Sequence, residues 1–317
     1  MTGSGQPVRV RVPATSANLG PAFDSAGLAL TCHDALEFTV TDGGLSVGVS
    51  GIGAEDLPTD ESHLVVRAFR AACEELGWSP PGLRLEALNA IPQGRGMGSS
   101  AAAVVAGVLG AWALCPDVET IDLNAVLRLT TEMEGHPDNV AACLLGGATL
   151  SWMTASRGAR AERFDVDPLI QPVVLVPEAT LNTHVARGLL PDSVPHADAA
   201  FNAGRAALLV HALANQPALL LEATEDRLHQ RQRAAAMPAT LALVDRLRER
   251  KYAAVVSGAG PSVLVLTRRH PEDDRTDLVD AQTREVRDLT PRGWQVLPLE
   301  VDHIGARVVS SRPQVSS

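Results

Sequence analysis

Val8, Val10 and Val12 alternate with Arg9 and Arg11, the two-residue period of a strand with one buried face. Pro13 ends that pattern, and a small polar loop follows, Ala14-Thr15-Ser16-Ala17-Asn18-Leu19-Gly20-Pro21. Residues 36–40 and 45–49 carry strand patterns on either side of Asp42-Gly43-Gly44, a signal that predicts a hairpin. Apolar positions between Glu61 and Leu76 recur at helical spacing, and Gly77 closes the run. Another strand is expected over 83–87. A glycine-rich loop comes next, Ile91-Pro92-Gln93-Gly94-Arg95-Gly96-Met97-Gly98-Ser99-Ser100, and leads into an Ala-rich helix reaching Leu114. Helices are expected over 123–134, stopped by Gly135 and Pro137, and over 139–145, ended by Gly146-Gly147.

The pattern then changes. Residues 154–163 are polar and basic and read as a loop or domain seam. Strands are expected over 172–177, 253–257, 263–267 and 294–301, and helices over 198–214 and 237–250. Residues 310–317 read as a disordered tail. No internal repeat is visible, and strands and helices mix without a regular βαβα rhythm, which favours an α+β fold. A chain of 317 residues favours two domains, 1–163 and 164–309.

Composition narrows the function classes. Apolar residues make up 45% and aromatics 3%, so the core is expected to be aliphatic and base-stacking surfaces scarce. With 27 Lys+Arg against 37 Asp+Glu the net charge is −10, against the basic face a nucleic-acid binder carries. Cys32, Cys73, Cys115 and Cys143 are far apart, with no CxxC or zinc spacing, and read as reduced thiols of a cytoplasmic protein. The polar start, Met1 to Pro7, lacks a signal peptide's apolar stretch. No apolar run approaches the ~20 residues of a membrane helix.

Three loops carry candidate chemistry. Gly94, Gly96 and Gly98 before Ser99-Ser100 and a helix suit a polyphosphate: glycines admit an anion close to the backbone, and the helix N-terminus adds free amides and a positive dipole end. The loop is neither a Walker loop nor a dinucleotide fingerprint, and a glycine-rich turn before a helix is also an ordinary structural turn. Glu134-Gly135-His136-Pro137-Asp138-Asn139 gathers two carboxylates, an imidazole and an amide; equally, Asp138 or Asn139 could cap the next helix. Ser257-Gly258-Ala259-Gly260-Pro261-Ser262 could be a tight turn between strands. Three such loops in one aliphatic chain suggest a convergent site.

These segments resemble the three signature motifs of the GHMP kinase superfamily: Pro13 to Asp24 (PATSANLGPAFD), Pro92 to Ala101 and Ser257 to Ser262. The first, with Glu134 to Asn139, resembles the homoserine kinase family in particular, and the likeness runs from about Val8 to Val309. It implies a ribosomal S5 domain 2-like N-terminal domain holding the ATP loop and a ferredoxin-like C-terminal domain. The implied activity is ATP-dependent phosphorylation of the side-chain hydroxyl of L-homoserine, in threonine biosynthesis. Another small hydroxy amino acid, such as threonine, is the alternative acceptor, because one methylene discriminates by only ~1–3 kcal/mol.

The resemblance also assigns residues. Pro92, Gln93, Gly94, Arg95, Gly96, Met97, Gly98, Ser99, Ser100 and Ala101 would wrap the ATP phosphates, with His63 near the adenine. Ser100 and Glu134 would hold Mg²⁺. Asn18, Asp24, His136 and Asn139 would line the homoserine pocket, Asp24 facing the ammonium; Arg187 and Arg233 would grip the carboxylate, and Thr183 would lie beside the acceptor hydroxyl. Asn139 stands where superfamily relatives place a catalytic aspartate, so transfer without a strong general base is expected, with Asp138 the candidate base if one acts. Expected partners are ATP and the small substrate, with no nucleic acid or membrane, in a homodimer. Ala22 replaces the family's glycine, so a left-handed backbone is not expected there. Met97 replaces leucine, His63 asparagine and His33 tyrosine.

Overall fold

The computed structural model describes residues 6–269 and 281–310. Its first half runs β1 (Val8–Ala17), β2 (Ala26–Thr41), β3 (Gly44–Gly51), α1 (Leu64–Glu75), β4 (Gly82–Asn89), α2 (Ser99–Leu114), α3 (Leu123–Glu134), α4 (Asp138–Leu145), β5 (Ala148–Thr154) and β6 (Gly158–Phe164). The second half runs β7 (Ile170–Val176), α5 (Thr183–Arg187), α6 (His196–Ala214), α7 (Leu220–Ala223), α8 (Pro238–Glu249), β8 (Ala253–Val256), β9 (Val263–Arg268), α9 (Ala281–Leu289), β10 (Gln295–Pro298) and β11 (Arg307–Ser310). The helix expected over 123–134 is α3, residue for residue. Of the tail expected over 310–317, Ser310 instead ends β11 and residues 311–317 lie outside the described residues.

Two sheets carry the α+β architecture. The first has the order β11-β1-β2-β4-β3, with β5 and β6 continuing from β2. The second is antiparallel in the order β10-β7-β9-β8. Numbered within that sheet alone, its strands run 4-1-3-2 with helices between the first and second and between the third and fourth, a ferredoxin-like topology.

Three local expectations fail, each for a pairing reason. Pro13 does not end the first strand: β1 runs on to Ala17, its register on β2 shifting between Pro13 and Ala14 before Ala14↔Leu30 to Ala17↔Gly27 continue the pairing. Strands β2 and β3 are not a hairpin: β4 enters between them, antiparallel to β2 and parallel to β3. Gly82 opens β4 opposite both Thr41 and Gly44, so the Asp42-Gly43 turn spreads its strands to admit a third. The helix α1 makes the crossover that the parallel pair requires. Residues 154–163 are not a loop. Thr154 to Gly158 turns a hairpin, and β6 pairs with β5 along its length, from Thr154↔Gly158 to Ala148↔Phe164. Arg160 and Arg163 belong to this outlying, partly exposed pair. Polar residues can occupy a strand whose one face meets water.

The core follows the two periods. Val174 and Val176 face the large cluster that includes α2, while Val173 and Leu175 face a second cluster with Met237, Leu241, Val244 and Leu247 of the α8 region. Strands β7, β8 and β9 are thus buried on both faces, which explains their continuous apolar runs. Helix α2 is buried almost all round, so an Ala-rich sequence serves close packing rather than an amphipathic stripe. No helix among the described residues is long and apolar enough to cross a membrane.

The last described segment is tied back to the first sheet. Strand β11 pairs with β1, and the Asp302 carbonyl accepts Gly147 N–H at 2.7 Å. The Asp302 carboxylate accepts the backbone N–H groups of Ile304 and Gly305 at 2.9 and 2.7 Å and meets His33 Nε2 at 2.5 Å. Burial pushes this carboxyl up, but those bonds outweigh it and hold it near 2. Asp302→Ala should therefore lower the unfolding free energy by about 1–3 kcal/mol, the cost of orphaning buried donors. A carboxyl depressed in the folded state stabilises above its unfolded value of ~3.9 and loses that contribution as pH falls toward 2. Urea titrations of both proteins should show a constant gap from pH 8 to 5 that narrows under acid.

Candidate active site

The glycine loop is built by sequence that only glycine permits. Gly96 and Gly98 sit at φ 71° and 69°, a left-handed conformation that costs other residues ~1–2 kcal/mol. A Cβ on Gly96 would overlap the Ser257 carbonyl, and one on Gly98 would overlap the Thr15 hydroxyl. Gly98 is also the N-cap of α2, with no side chain satisfying the first amides, so they face the loop's concavity.

Bonds between the three loops fix this approach. Thr15 N–H donates to the Met97 carbonyl at 3.0 Å, and Gly258 N–H to the Ala17 carbonyl at 3.2 Å. The Ser257 hydroxyl lies 2.6 Å from the Gly96 carbonyl and 2.9 Å from Ser16 Oγ. Asn18 Nδ2 donates to the Gly258 carbonyl at 2.9 Å, while its Oδ1 accepts Asp24 N–H at 3.0 Å. Asn18 and Asp24 are both left-handed, at φ 70° and 55°; Ala22 is not, as expected of an alanine there.

A cleft of about 510 Å³ opens over these loops. Of the residues singled out from sequence, Asn18, Gly94, Gly96, Met97, Gly98, Ser99, Ser100, Glu134, His136, Asp138, Asn139, Thr183, Arg187 and Arg233 line it. Asp24 joins it through Arg187, a two-pronged ion pair at 2.6 and 3.0 Å. His63, Pro92, Gln93, Arg95 and Ala101 do not line it. His63 caps α1 instead, its Nδ1 accepting Val65 N–H at 3.3 Å. Arg95 turns away and donates to the carbonyls of Gln93, Pro177 and Glu178, clamping the glycine loop to the end of β7.

Electrostatics divide the cleft. Ser100 Oγ donates to Glu134 Oε2 at 2.9 Å, and burial raises the Glu134 carboxyl above its ordinary range. Burial would lower His136, but its 2.7 Å bond to Asp138 Oδ1 outweighs that and raises it. Asp138 also accepts Asn139 N–H at 2.7 Å, and Asn139 Oδ1 accepts the Thr15 hydroxyl at 2.8 Å. The bond to Asp24 raises Arg187, whereas burial and then the nearby Arg187 lower Arg233.

Sequence reasoning passed over Thr15, Asn182 and His229. Asn182 before Thr183 is an N-cap pattern and was findable: its side chain accepts His184 N–H at 2.8 Å and starts α5. Thr15 bonds Asn139, 124 residues away, and His229 bonds Gly20, 209 residues away, as well as Arg233 four residues on; no local signal reveals the two distant partners.

The glycine-rich loop, helix N-terminus and charged cleft together suit a phosphotransferase. The pattern described as GHMP kinases N terminal domain matches residues 63–147, and that described as GHMP kinases C terminal matches 204–283. With the relatives that follow, these matches place the chain in the GHMP kinase superfamily, in its homoserine kinase family. It is 54% identical over 303 residues to homoserine kinase of Streptomyces coelicolor, covering 95% of this chain and 94% of that one. Homoserine kinase of Clavibacter michiganensis is 52% identical over 306 residues, 96% and 95% of the two chains. A crystal structure of homoserine kinase from Cytophaga hutchinsonii shares the fold, with TM-score 0.80 at 24% identity over 98% of this chain and 99% of that one.

Proposed function

We propose that this chain transfers the γ-phosphoryl group of ATP to the side-chain hydroxyl of L-homoserine, giving ADP and O-phospho-L-homoserine for threonine biosynthesis. One observation carries the reading: the anion-cradling loop and a set of opposed charges, Asp24 with Arg187 and Arg233, share one cleft. A polyphosphate suits the first, and the zwitterionic end of an amino acid suits the second. The division near Phe164 into two domains is supported by the change of sheet between β6 and β7. The acidic net charge supports small-molecule partners rather than nucleic acid, in a cytoplasmic protein; the homodimer rests on the resemblance alone.

In this reading the amides at the start of α2 and of its loop hold the phosphate oxygens. Ser100 Oγ and Glu134 Oε2, hard oxygen donors 2.9 Å apart at that helix start, fit Mg²⁺, which takes few protein carboxylates and completes its shell with phosphates and water. When bound, Mg²⁺ supplies positive charge to phosphate oxygens as the terminal group departs. The homoserine oxygen forms the new bond to the γ-phosphorus, the bond to the β–γ bridging oxygen breaks, and the hydroxyl proton leaves late to phosphate or water. Asn139 and Thr183 align the hydroxyl. Asn139 has no basic site to offer, and its Oδ1 is already occupied by Thr15.

Five measurements test this. A coupled ADP-release assay on homoserine, threonine and serine should give the highest kcat/KM with homoserine; equal or higher turnover of threonine would overturn the acceptor. Glu134→Gln should keep the fold and homoserine affinity but slow kcat by orders of magnitude at saturating Mg²⁺. Near-normal turnover would make Glu134 a mere helix-end residue. Asn139→Ala should lower kcat ~10–100-fold through misalignment, with no new pH dependence. Asn139→Asp should give no gain, because a carboxylate there repels the γ-phosphate. If Asp138 is the base, the acidic limb of the kcat/KM profile should vanish in Asp138→Asn alone.

A further inference from the structure

The two arginines of the cleft are not equivalent. Arg187 is neutralised by Asp24 at 2.6 Å. Arg233 is almost wholly buried, yet among the described residues no carboxylate comes within ion-pair distance of it, and its Nε has no partner. Its neighbours are neutral acceptors. Nη1 lies 3.2 Å from His229 Nδ1 and 3.4 Å from the Gly258 carbonyl, and the guanidinium stands 5.3 Å from the Phe23 ring centre.

His229 fixes this arrangement from behind the cleft, which it does not line. Its side chain is fully buried, and its ring lies 5.1 Å from that of Phe23. Nε2 is 2.7 Å from the Gly20 carbonyl. A carbonyl can only accept and a guanidinium can only donate, so the two partners dictate one tautomer: Nε2–H donates to Gly20, and the Nδ1 lone pair accepts from Arg233. Protonating Nδ1 would set an N–H against an N–H. Burial, then the Arg233 charge, outweigh the opposing pull of Asp226 and favour the neutral ring. Asp226 stays 3.8 Å from Nε2 and is spent on the amides of Leu228, His229 and Gln230 and on Asn202.

We infer that His229 is a positioning residue: its neutral imidazole, locked by the Gly20 carbonyl, aims Arg233 at the anionic group of the acceptor substrate while leaving the arginine's charge unneutralised. A carboxylate in the same place would orient Arg233 equally well but cancel the charge the substrate needs. The inference rests on the reading of the cleft as an amino-acid kinase site.

Two near-isosteric substitutions separate the two bonds. In His229→Asn the side-chain amide sits near the Nδ1 position and can still accept from Arg233; in His229→Gln it sits near Nε2 and keeps only the bond to Gly20. The expected result is a KM for homoserine raised about tenfold or more in His229→Gln and raised far less in His229→Asn. KM for ATP should stay within about twofold in both. Equal effects of the two substitutions, the reverse order, or a matching rise in KM for ATP would show a merely structural histidine. Should both variants fail to fold, ¹⁵N NMR of the histidine-labelled wild-type protein still decides. A neutral Nε2–H tautomer at pH 7 supports the inference, and an Nδ1–H or charged ring overturns it. A wild-type enzyme that does not turn over homoserine would sink the cleft reading itself, whatever the variants do.

Discussion

The close contact of two backbones at Gly96 governs the rest of the site. The Ser257 carbonyl lies where a Cβ on residue 96 would be, and the Ser257 hydroxyl bonds the Gly96 carbonyl from the other side. Gly96 precedes α2, which is packed into the core beside the first sheet; Ser257 leaves β8 of the second. The two sheets therefore meet at a point where neither backbone can retreat without breaking buried hydrogen bonds. Thr15 to Asn18 fills the remaining side through Met97, Ser257 and Gly258. Arg95 adds a clamp to the end of β7, and Leu181 N–H donates to the Gly94 carbonyl. A loop held this way keeps its amides pointed into the cleft before any ligand arrives, so little ordering remains to be done on binding.

This rigidity explains how far the sequence was legible. Periodicity gave element types wherever one face was buried, as in α1, α3 and α8, and the glycine loops announced themselves because left-handed backbone and close approach leave few alternatives to glycine. Pairing order was less legible. The Asp42-Gly43-Gly44 turn has hairpin chemistry, and only the parallel partner β4, placed by the α1 crossover, pulls β2 and β3 apart. Residues 154–163 misled in another way, because an exposed strand pair has the composition of a loop. In the candidate site, residues inside a motif could be found by resemblance. Thr15 lies inside such a motif, but its bond to Asn139 could not be read there, and neither could the bond of His229 to the Gly20 carbonyl. Those partners lie 124 and 209 residues away, and single-sequence patterns are local.

Placement within a motif also differs from placement in the cleft. Arg95 lies in the middle of the glycine loop, and a cation beside phosphates invites a ligand role. All three of its guanidinium nitrogens are committed to carbonyls on the far side, so the loop's positive character comes from amides and helix end rather than from this side chain. His63, which the resemblance put near the adenine, spends its Nδ1 on the Val65 amide as the cap of α1.

The unequal arginines bear on how a cleft can prefer a zwitterion. Removing a charge from water is expensive, and a buried pair recovers that cost only through its own partner. Arg187 and Asp24 have each other, and both keep about a third of their side-chain surface exposed, so a ligand's ammonium and carboxylate can exchange into that pair at modest cost. Arg233 has only an imidazole nitrogen, a carbonyl and a ring face. Its desolvation is left uncompensated by the protein, and an incoming anion recovers it. A ligand with a carboxylate but no ammonium would strand Asp24 when it took Arg187. One with an ammonium but no carboxylate would leave Arg233 as unsatisfied as before. Under the proposed reading, selectivity for both charges would thus follow from which arginine is already paid for and which is not, even though both stand within 5.5 Å of the ring centre of one phenylalanine.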